Sequence, residues 1–298
     1  MTEIREDYIT KFSKDNKPAA YCEDGDTVIF HTRDCFNNVI RSHEDRGKED
    51  DEPGNPATGP LYVKGLKAGD VLAVDIIDIE VAERGVSCTV EDCGILWPSC
   101  ELRTRVFEIE NDEVSFNELR LKIKPMIGVI GLAPEGKAVS SEDSFHLGGN
   151  MDDPLINKGT TVYLPCEVDG GLLAIGDLHA LMGDGEIAGT GIEIAGKVTV
   201  RVRIIEDFEL NWPLLETEDA YYVNANGSDC NMALTRAYVE MQRLVAEAMN
   251  WDLTDAAMYL SLRGIQNANQ SCMSPGIDHE ESGPNFRVGV FKKEIKII

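Results

Sequence analysis

Along residues 197–205 the chain alternates Val198, Val200, Val202 and Ile204 with Thr199, Arg201 and Arg203. Successive side chains of a strand point to opposite faces, so this pattern predicts a long antiparallel strand with one apolar and one wet face. Residues 114–123 read the same way, with Leu119, Leu121 and Ile123 set against Arg120, Lys122 and Lys124. Residues 61–81 are also strand-rich, but their alternation changes phase: Leu72, Val74 and Ile76 share one parity, and Ile77, Ile79 and Val81 take the other. A β-bulge or a bend between two sheets produces such a slip. A Gly-Asp turn precedes an apolar strand start at 22–30 and again at 67–74, and 158–164 reads as a degraded third copy. The apolar, glycine-containing run 126–134 is a buried strand or a close-packed loop.

Near residue 230 the period changes. Ala237, Met241, Leu244, Val245, Ala248 and Met249 recur at helical spacing, with Ser228 or Asp229 available as N-cap. A second helix is predicted over 254–263, capped by Thr254 or Asp252 and stopped at Gly264. Residues 286–298 predict a closing strand with lysines on the exposed parity. Strands dominate, so the predicted fold class is mainly β, with antiparallel sheets in a sandwich or barrel-like arrangement and a small C-terminal helical pair. The chain reads as a single unit, 1–298, in which a β-rich N-terminal part, 1–125, and a second β part with the helices, 126–298, mark the finer division.

Charge narrows the partners. The chain has 28 Lys and Arg against 53 Asp and Glu, a net charge of −25, so its average surface repels phosphate backbones and anionic membranes. Neither nucleic acid nor membrane is expected as a partner. No run reaches the roughly 18 apolar residues of a membrane helix and the first residues do not form a signal peptide, which predicts a cytoplasmic protein. The eight cysteines are scattered without a Cys-x-x-Cys pair, as expected of reduced thiols.

Candidate chemistry is densest at 171–191, GLLAIGDLHALMGDGEIAGTG. An apolar run leads into Asp177, His179, Asp184 and Glu186 among glycines, as a strand feeding a Gly-rich loop. On an extended backbone Asp177 and His179 project to one face, so a carboxylate and an imidazole converge as in an acid/base or metal site. A glycine turn with solvated carboxylates is the plainer alternative. His31 and Asp34, at the end of the first strand, form a candidate second arm, unless His31 is structural. At 145–154, FHLGGNMDDP, two glycines, Asn150 and two carboxylates precede a proline, which marks a functional loop or a strong turn. His43, in the charged loop 41–54, and His279, in a polar loop, read as surface residues.

The runs HLGGNMDD, YLP followed by LLAIGDLHALMGDGE, and upstream NPATGPLYVKGLKAGDVLAVDI resemble the acetamidase/formamidase family. The similarity spans about residues 23–205 and continues loosely beyond. It implies a mainly β hydrolase that converts short aliphatic amides, such as formamide or acetamide, to carboxylate and ammonia. It also implies a homo-oligomer, a dimer or higher, and a divalent metal, zinc with calcium as a second candidate. The positions matching the motifs are Asn150 and Asp152 in the first loop, Asp177, His179, Asp184 and Glu186 in the second, and Asp34 upstream.

The chemistry this implies assigns metal ligation to Asp177 and His179, helped by Asp34 or His31. Asp184 or Glu186 serves as general base and then acid, while Asn150, Asp152 and Gly149 hold the substrate. The family tends to carry Glu where this chain has His31, which opens a different linear or cyclic amide as substrate. A non-catalytic protein that binds metal or a small ligand is the third reading. Nucleophilic routes fit worse: Ser140 and Ser141 follow Lys137 without an amidase context, and Cys166 at a strand end reads as packing.

Overall fold

The computed structural model describes residues 2–45, 54–271 and 283–298. His279 and most of the charged loop 41–54 lie outside the described residues. Among the described residues, the strands form a nine-stranded and a ten-stranded sheet with two small strand pairs. The pairing is mostly antiparallel; the strand Thr2–Ile4 is parallel to Thr27–Thr32. Inside the nine-stranded sheet, Gly196–Ile205 pairs with Thr27–Thr32 on one side and Val71–Val81 on the other. The ten-stranded sheet is centred on Leu173–His179.

The apolar parity read at 197–205 decides where the core sits. Val198, Val200 and Val202 are fully buried and cluster with Phe30, Leu72 and Val74 of their own sheet and with Ile127, Ile130, Leu173 and Ile175 of the other. The main core is therefore the space between the sheets, and it draws on residues from Ile4 to Leu215. The opposite parity of the nine-stranded sheet, Val71, Ala73, Tyr163, Tyr221 and Val223, is covered by Ala237, Met241, Leu244 and Val245 of helix α1, Cys230–Met249. Each large apolar side chain so buried contributes roughly 1.5–3 kcal/mol. Double coverage explains why Val71 to Val74 are all buried rather than alternating.

The phase slip at 76–77 is a β-bulge. Thr199 pairs with Asp78 and Val200 with Ile76, so Ile77 is the extra residue and is 44 % exposed. The two turn-strand copies share a cap: Asp26 Oδ2 accepts from the Glu23 N–H and Asp70 Oδ2 from the Lys67 N–H, both at 2.8 Å. Helix α1 is capped by Asp229, which accepts from Met232 N–H, and α2, Leu253–Arg263, by Asp252, which accepts from Asp255 N–H. No described helix is long and apolar enough to cross a membrane.

Three expectations change. Residues 114–123 are two strands, Glu113–Phe116 and Leu119–Lys122, reversed at Asn117 with φ 53, because Asn tolerates the left-handed backbone that a tight hairpin needs. The closing strand stops at Phe291. His43 is exposed but its Nδ1 accepts the Val106 N–H at 3.2 Å. The described cysteines are free, and burial pushes the Cys166 thiol up to about 12, as suits a packing residue.

Candidate active site

The strand Leu173–His179 is buried throughout. Met126–Gly131 flanks it on one side; Ala57–Val63 and then the two-residue strand Glu193–Ile194 flank it on the other. His179 lies in register with Glu193. Gly128 lies across from Asp177, between the pairs Ile127–Leu178 and Val129–Gly176. A Cβ on Gly128 would stand 2.5 Å from Asp152 Oδ1 and 2.7 Å from Asp177 Oδ2, so its missing side chain is the space the two carboxylates occupy. The Gly128 carbonyl accepts the N–H groups of Met151 and Asp152, which ties the loop after Gly148–Asn150 to the same floor.

Three of the acids have left-handed backbone: Asp152 with φ 41, Asp177 with φ 52 and Glu186 with φ 42. Each costs on the order of 1–2 kcal/mol, strain that persists only where the surroundings hold it. Asp177 and His179 do converge, but through this twist in the strand rather than by simple extended alternation.

His179 Nε2 lies 3.1 Å from Glu193 Oε2, 3.5 Å from Asp177 Oδ1 and 3.8 Å from Asp152 Oδ1. The other face of the ring is fixed by Met182 Sδ, 3.2 Å from Nδ1, and by Gly191, where a Cβ would meet Nδ1 at 2.7 Å. Asp152, Asp177, His179, Glu186 and Glu193 are each at most 7 % exposed. Among the described residues no Lys or Arg pairs with any of these carboxylates.

Each of three carboxylates has one oxygen fixed and one bare. Asn55 Nδ2 donates to Asp177 Oδ2 at 3.2 Å, the Gln270 amide to Asp152 Oδ2, and the Gly191 N–H to Glu193 Oε1 at 2.9 Å. The second oxygens, Asp177 Oδ1, Asp152 Oδ1 and Glu193 Oε2, have no hydrogen bond and face the imidazole. Bare, buried carboxylate oxygens are costly unless a cation or proton occupies the space between them.

Electrostatics agree. Burial, reinforced by neighbouring carboxylates and opposed by His179, pushes Glu186 and Glu193 each up to about 8. Burial together with Glu186 and Asp177 raises Asp152 well above the carboxylate range. For His179 burial opposes the charge, yet Glu193 and Asp177 win and hold the imidazole charged well above its usual range. Two groups offer ligand atoms within 4.8 Å of one another, Asp152 with His179 and Glu186, and Cys35 with Asp177 and Glu193. Either can hold a metal ion.

Of the residues singled out in the sequence, Asp152, Asp177, His179 and Glu186 come together. Asn150 is buried two residues before Asp152, its Nδ2 on the Glu142 carbonyl and its Oδ1 without a partner. Others do not join. Asp184 is exposed and ion-paired to Arg287 at 2.7 Å, apart from the buried cluster. The His31 imidazole points away from the cluster onto Glu3 at 3.1 Å, because odd positions of Thr27–Thr32 face outward. Asp34 is buried, and burial raises its carboxyl, but its Oδ1 caps the turn by accepting the Asn38 N–H at 2.6 Å. Gly149 is paired on both sides in its sheet, with Ile130 and with Ser144.

Sequence reasoning missed Glu193, Cys35, Asn55 and Gln270. Glu193 stands two residues past the glycine stretch and Cys35 follows Asp34, but only strand register shows that Glu193 meets His179. Gly128→Ala is expected to lower amide hydrolysis about 100-fold by displacing both carboxylates. Steady-state rates at wild-type level would show that the floor can yield.

A buried carboxylate–imidazole cluster, anchored by amide and main-chain donors beside a two-sheet core, is the layout of a hydrolytic enzyme. The chain belongs to the acetamidase/formamidase family, whose model matches residues 1–144 and 137–270, and is accordingly an amidase that hydrolyses the carbon–nitrogen bond of amides. An acetamidase of Bacillus halodurans is 39 % identical with a TM-score of 0.92, over 98 % of both chains. A predicted acetamidase/formamidase of the thermophile Thermoanaerobacter tengcongensis is 38 % identical with a TM-score of 0.92, over 98 % of this chain and 96 % of that one. An acetamidase of Yersinia enterocolitica is 27 % identical with a TM-score of 0.90, over 98 % of this chain and 92 % of that one.

Proposed function

We propose that this protein hydrolyses short linear amides of the formamide and acetamide kind at the Asp152–Asp177–His179–Glu186–Glu193 cluster. The convergence of three bare, buried carboxylate oxygens on His179 carries this reading. The similar proteins named acetamidase supply the substrate class.

Amide hydrolysis needs a base for the attacking water, a hold on the carbonyl and a proton for the departing amine. Glu186 is the most exposed member of the cluster and sits on a loop rather than inside a sheet. Its carboxyl, pushed up to about 8, is protonated at neutral pH and suited to donate to the amine nitrogen. Asp177, whose Oδ1 is left bare 3.5 Å from His179 Nε2, takes up the proton of the attacking water. Asn150, with its Oδ1 unpartnered, accepts from the amide NH2 of the substrate.

The donor set also fits a divalent cation. His179, Asp177, Asp152 and Glu193 would hold it through the atoms left bare, and an imidazole with carboxylates suits zinc, whereas a carboxylate-only subset suits calcium. When bound, such an ion polarises a carbonyl and acidifies water. The side chains that fix the outer oxygens, Asn55 and Gln270, keep the donors aimed inward.

Ammonia release from formamide, acetamide and a panel including lactams tests the reading. Turnover of short linear amides is expected, lost on dialysis against a strong chelator and restored by one divalent ion. Full turnover by metal-free protein discards the cation, and turnover of lactams alone discards the substrate. We further propose that the chain acts as one unit in a homo-oligomer, a dimer or higher, in the cytoplasm. A monomer in sedimentation equilibrium would discard the assembly, and fractionation with membranes or the cell exterior the location.

A further inference from the structure

Arg287, on the strand Asn285–Phe291, is buried, with 5 % of its side chain exposed. Its Nη1 donates to Asp153 Oδ1 and to Asn269 Oδ1, each at 3.1 Å, and its Nη2 donates to Asp184 Oδ1 at 2.7 Å. Every acceptor adjoins a cluster residue along the chain. Asp153 follows Asp152, Asn269 precedes Gln270, which donates to Asp152, and Asp184 stands two residues before Glu186.

We propose that Arg287 is a positioning residue for amide hydrolysis: one guanidinium that fixes the three segments carrying Asp152, Gln270 and Glu186 relative to one another. The inference rests on the reading of Asp152 and Glu186 as site residues. The loop that carries Glu186 leans on the same neighbours. Asn267 Nδ2 donates to Asp184 Oδ2 at 3.2 Å, the Gly185 N–H to the Asn269 carbonyl at 2.8 Å, and the Ser271 N–H to the Gly185 carbonyl at 2.8 Å.

Asp152 and Glu186 both have left-handed backbone, which relaxes unless surrounding contacts over-determine it. A planar guanidinium fixes angle as well as distance at each acceptor, which an ammonium on a flexible stem cannot do. Among the described residues Arg287 is the one cation ion-paired with Asp153 or Asp184. Asp153 is fully buried, so the guanidinium also offsets its charge. That structural role alone predicts a stability loss and no effect that depends on Glu186.

The test measures kcat and KM for acetamide hydrolysis in Arg287→Met, Arg287→Lys and Asp184→Asn, each also placed in a Glu186→Gln background. Arg287→Met is expected to lower kcat about 30- to 100-fold with KM within about twofold, the size of an ångström-scale misplacement. Arg287→Lys restores the buried charge and thermal stability but leaves kcat at least about tenfold down. Asp184→Asn changes only the exposed end of the network, folds as the parent does, and lowers kcat roughly fivefold, which keeps the test alive if Arg287→Met does not fold. In the Glu186→Gln background the Asp184→Asn loss falls below about twofold, since that residue acts through the Glu186 segment, and the Arg287 losses shrink at least about threefold, the part carried by Glu186 being gone. Equal losses in both backgrounds, or an unchanged kcat in Asp184→Asn and Arg287→Lys, overturn the proposal and leave Arg287 a structural residue. A Glu186→Gln enzyme as active as the parent overturns the underlying reading of the site instead.

Discussion

Replacing His179 by alanine is expected to lower amide hydrolysis by about 1,000-fold or more, the scale seen when a unit of a coupled site is removed. Its Nε2 is the point on which the bare oxygens of Asp152, Asp177 and Glu193 converge. Without the ring these acids, nearly sealed from water, have no opposing charge among the described residues. Burial already raises the Asp152 and Glu193 carboxyls, and losing the ring removes the charge that opposes it, which disables proton transfer at the cluster. Metal content measured on the same protein separates the two ways of failing: a divalent ion lost together with activity marks His179 as ligand, and an ion retained marks it as the acid/base partner. Ammonia release within tenfold of the parent rate would remove His179 from the site.

The second large effect is on stability. In metal-depleted protein the melting temperature is expected to fall as pH rises from 5 to 9. Burial pushes Glu186 and Glu193 up to about 8 in the folded protein against an ordinary 4.5, so the folded protein binds more protons than the unfolded chain between those limits. Their contribution is complete below about 4.5 and is lost as pH climbs through about 8. His179, raised above 6.5, acts in the same sense, its contribution complete below 6.5 and lost at higher pH. Each pK unit of difference between folded and unfolded states is worth about 1.4 kcal/mol, roughly 3–5 °C for a chain of this size.

Other acids do not mask this. At Asp75 burial is outweighed by hydrogen bonds from Arg203, Thr161 and Arg201, and at Glu294 the hydrogen bonds from Arg263 and Tyr259 dominate; both carboxyls fall to about 2. Their stabilisation is already complete above the ordinary carboxylate range and stays constant over the measured window. A divalent ion reverses the trend, since it binds the deprotonated cluster and stabilises more at high pH. Circular dichroism melts at pH 5, 6.5, 8 and 9, with chelator and with excess divalent ion, read the effect. Chelated protein with a flat profile would show the carboxylates to be ionised at no cost.

Much of this molecule was visible as pattern. Alternation at 197–205 set a long interior strand of one sheet, the parity change at 76–77 marked the bulge in its neighbour, and Asp229 and Asp252 capped the two helices. These features depend on neighbours within a few residues, where periodicity and capping chemistry act directly. The glycine stretch and the GGNMDD loop likewise named Asp152, Asp177, His179 and Glu186 as candidates, because both motifs are contiguous.

What sequence could not decide was which oxygens meet. Asp184 is a carboxylic acid like Glu186 two residues away, yet it pairs with Arg287, 103 residues downstream, instead of joining the cluster. His31 falls on the outward parity of its strand and pairs with Glu3, while Glu193, with no motif around it, is placed against His179 by strand register. The sequence by itself determined most of the elements, their faces and four members of the site, Asp152, Asp177, His179 and Glu186. Tertiary structure alone decided membership of the cluster, because charge pairs, strand register and the room left by Gly128 are set by residues distant along the chain and close in space.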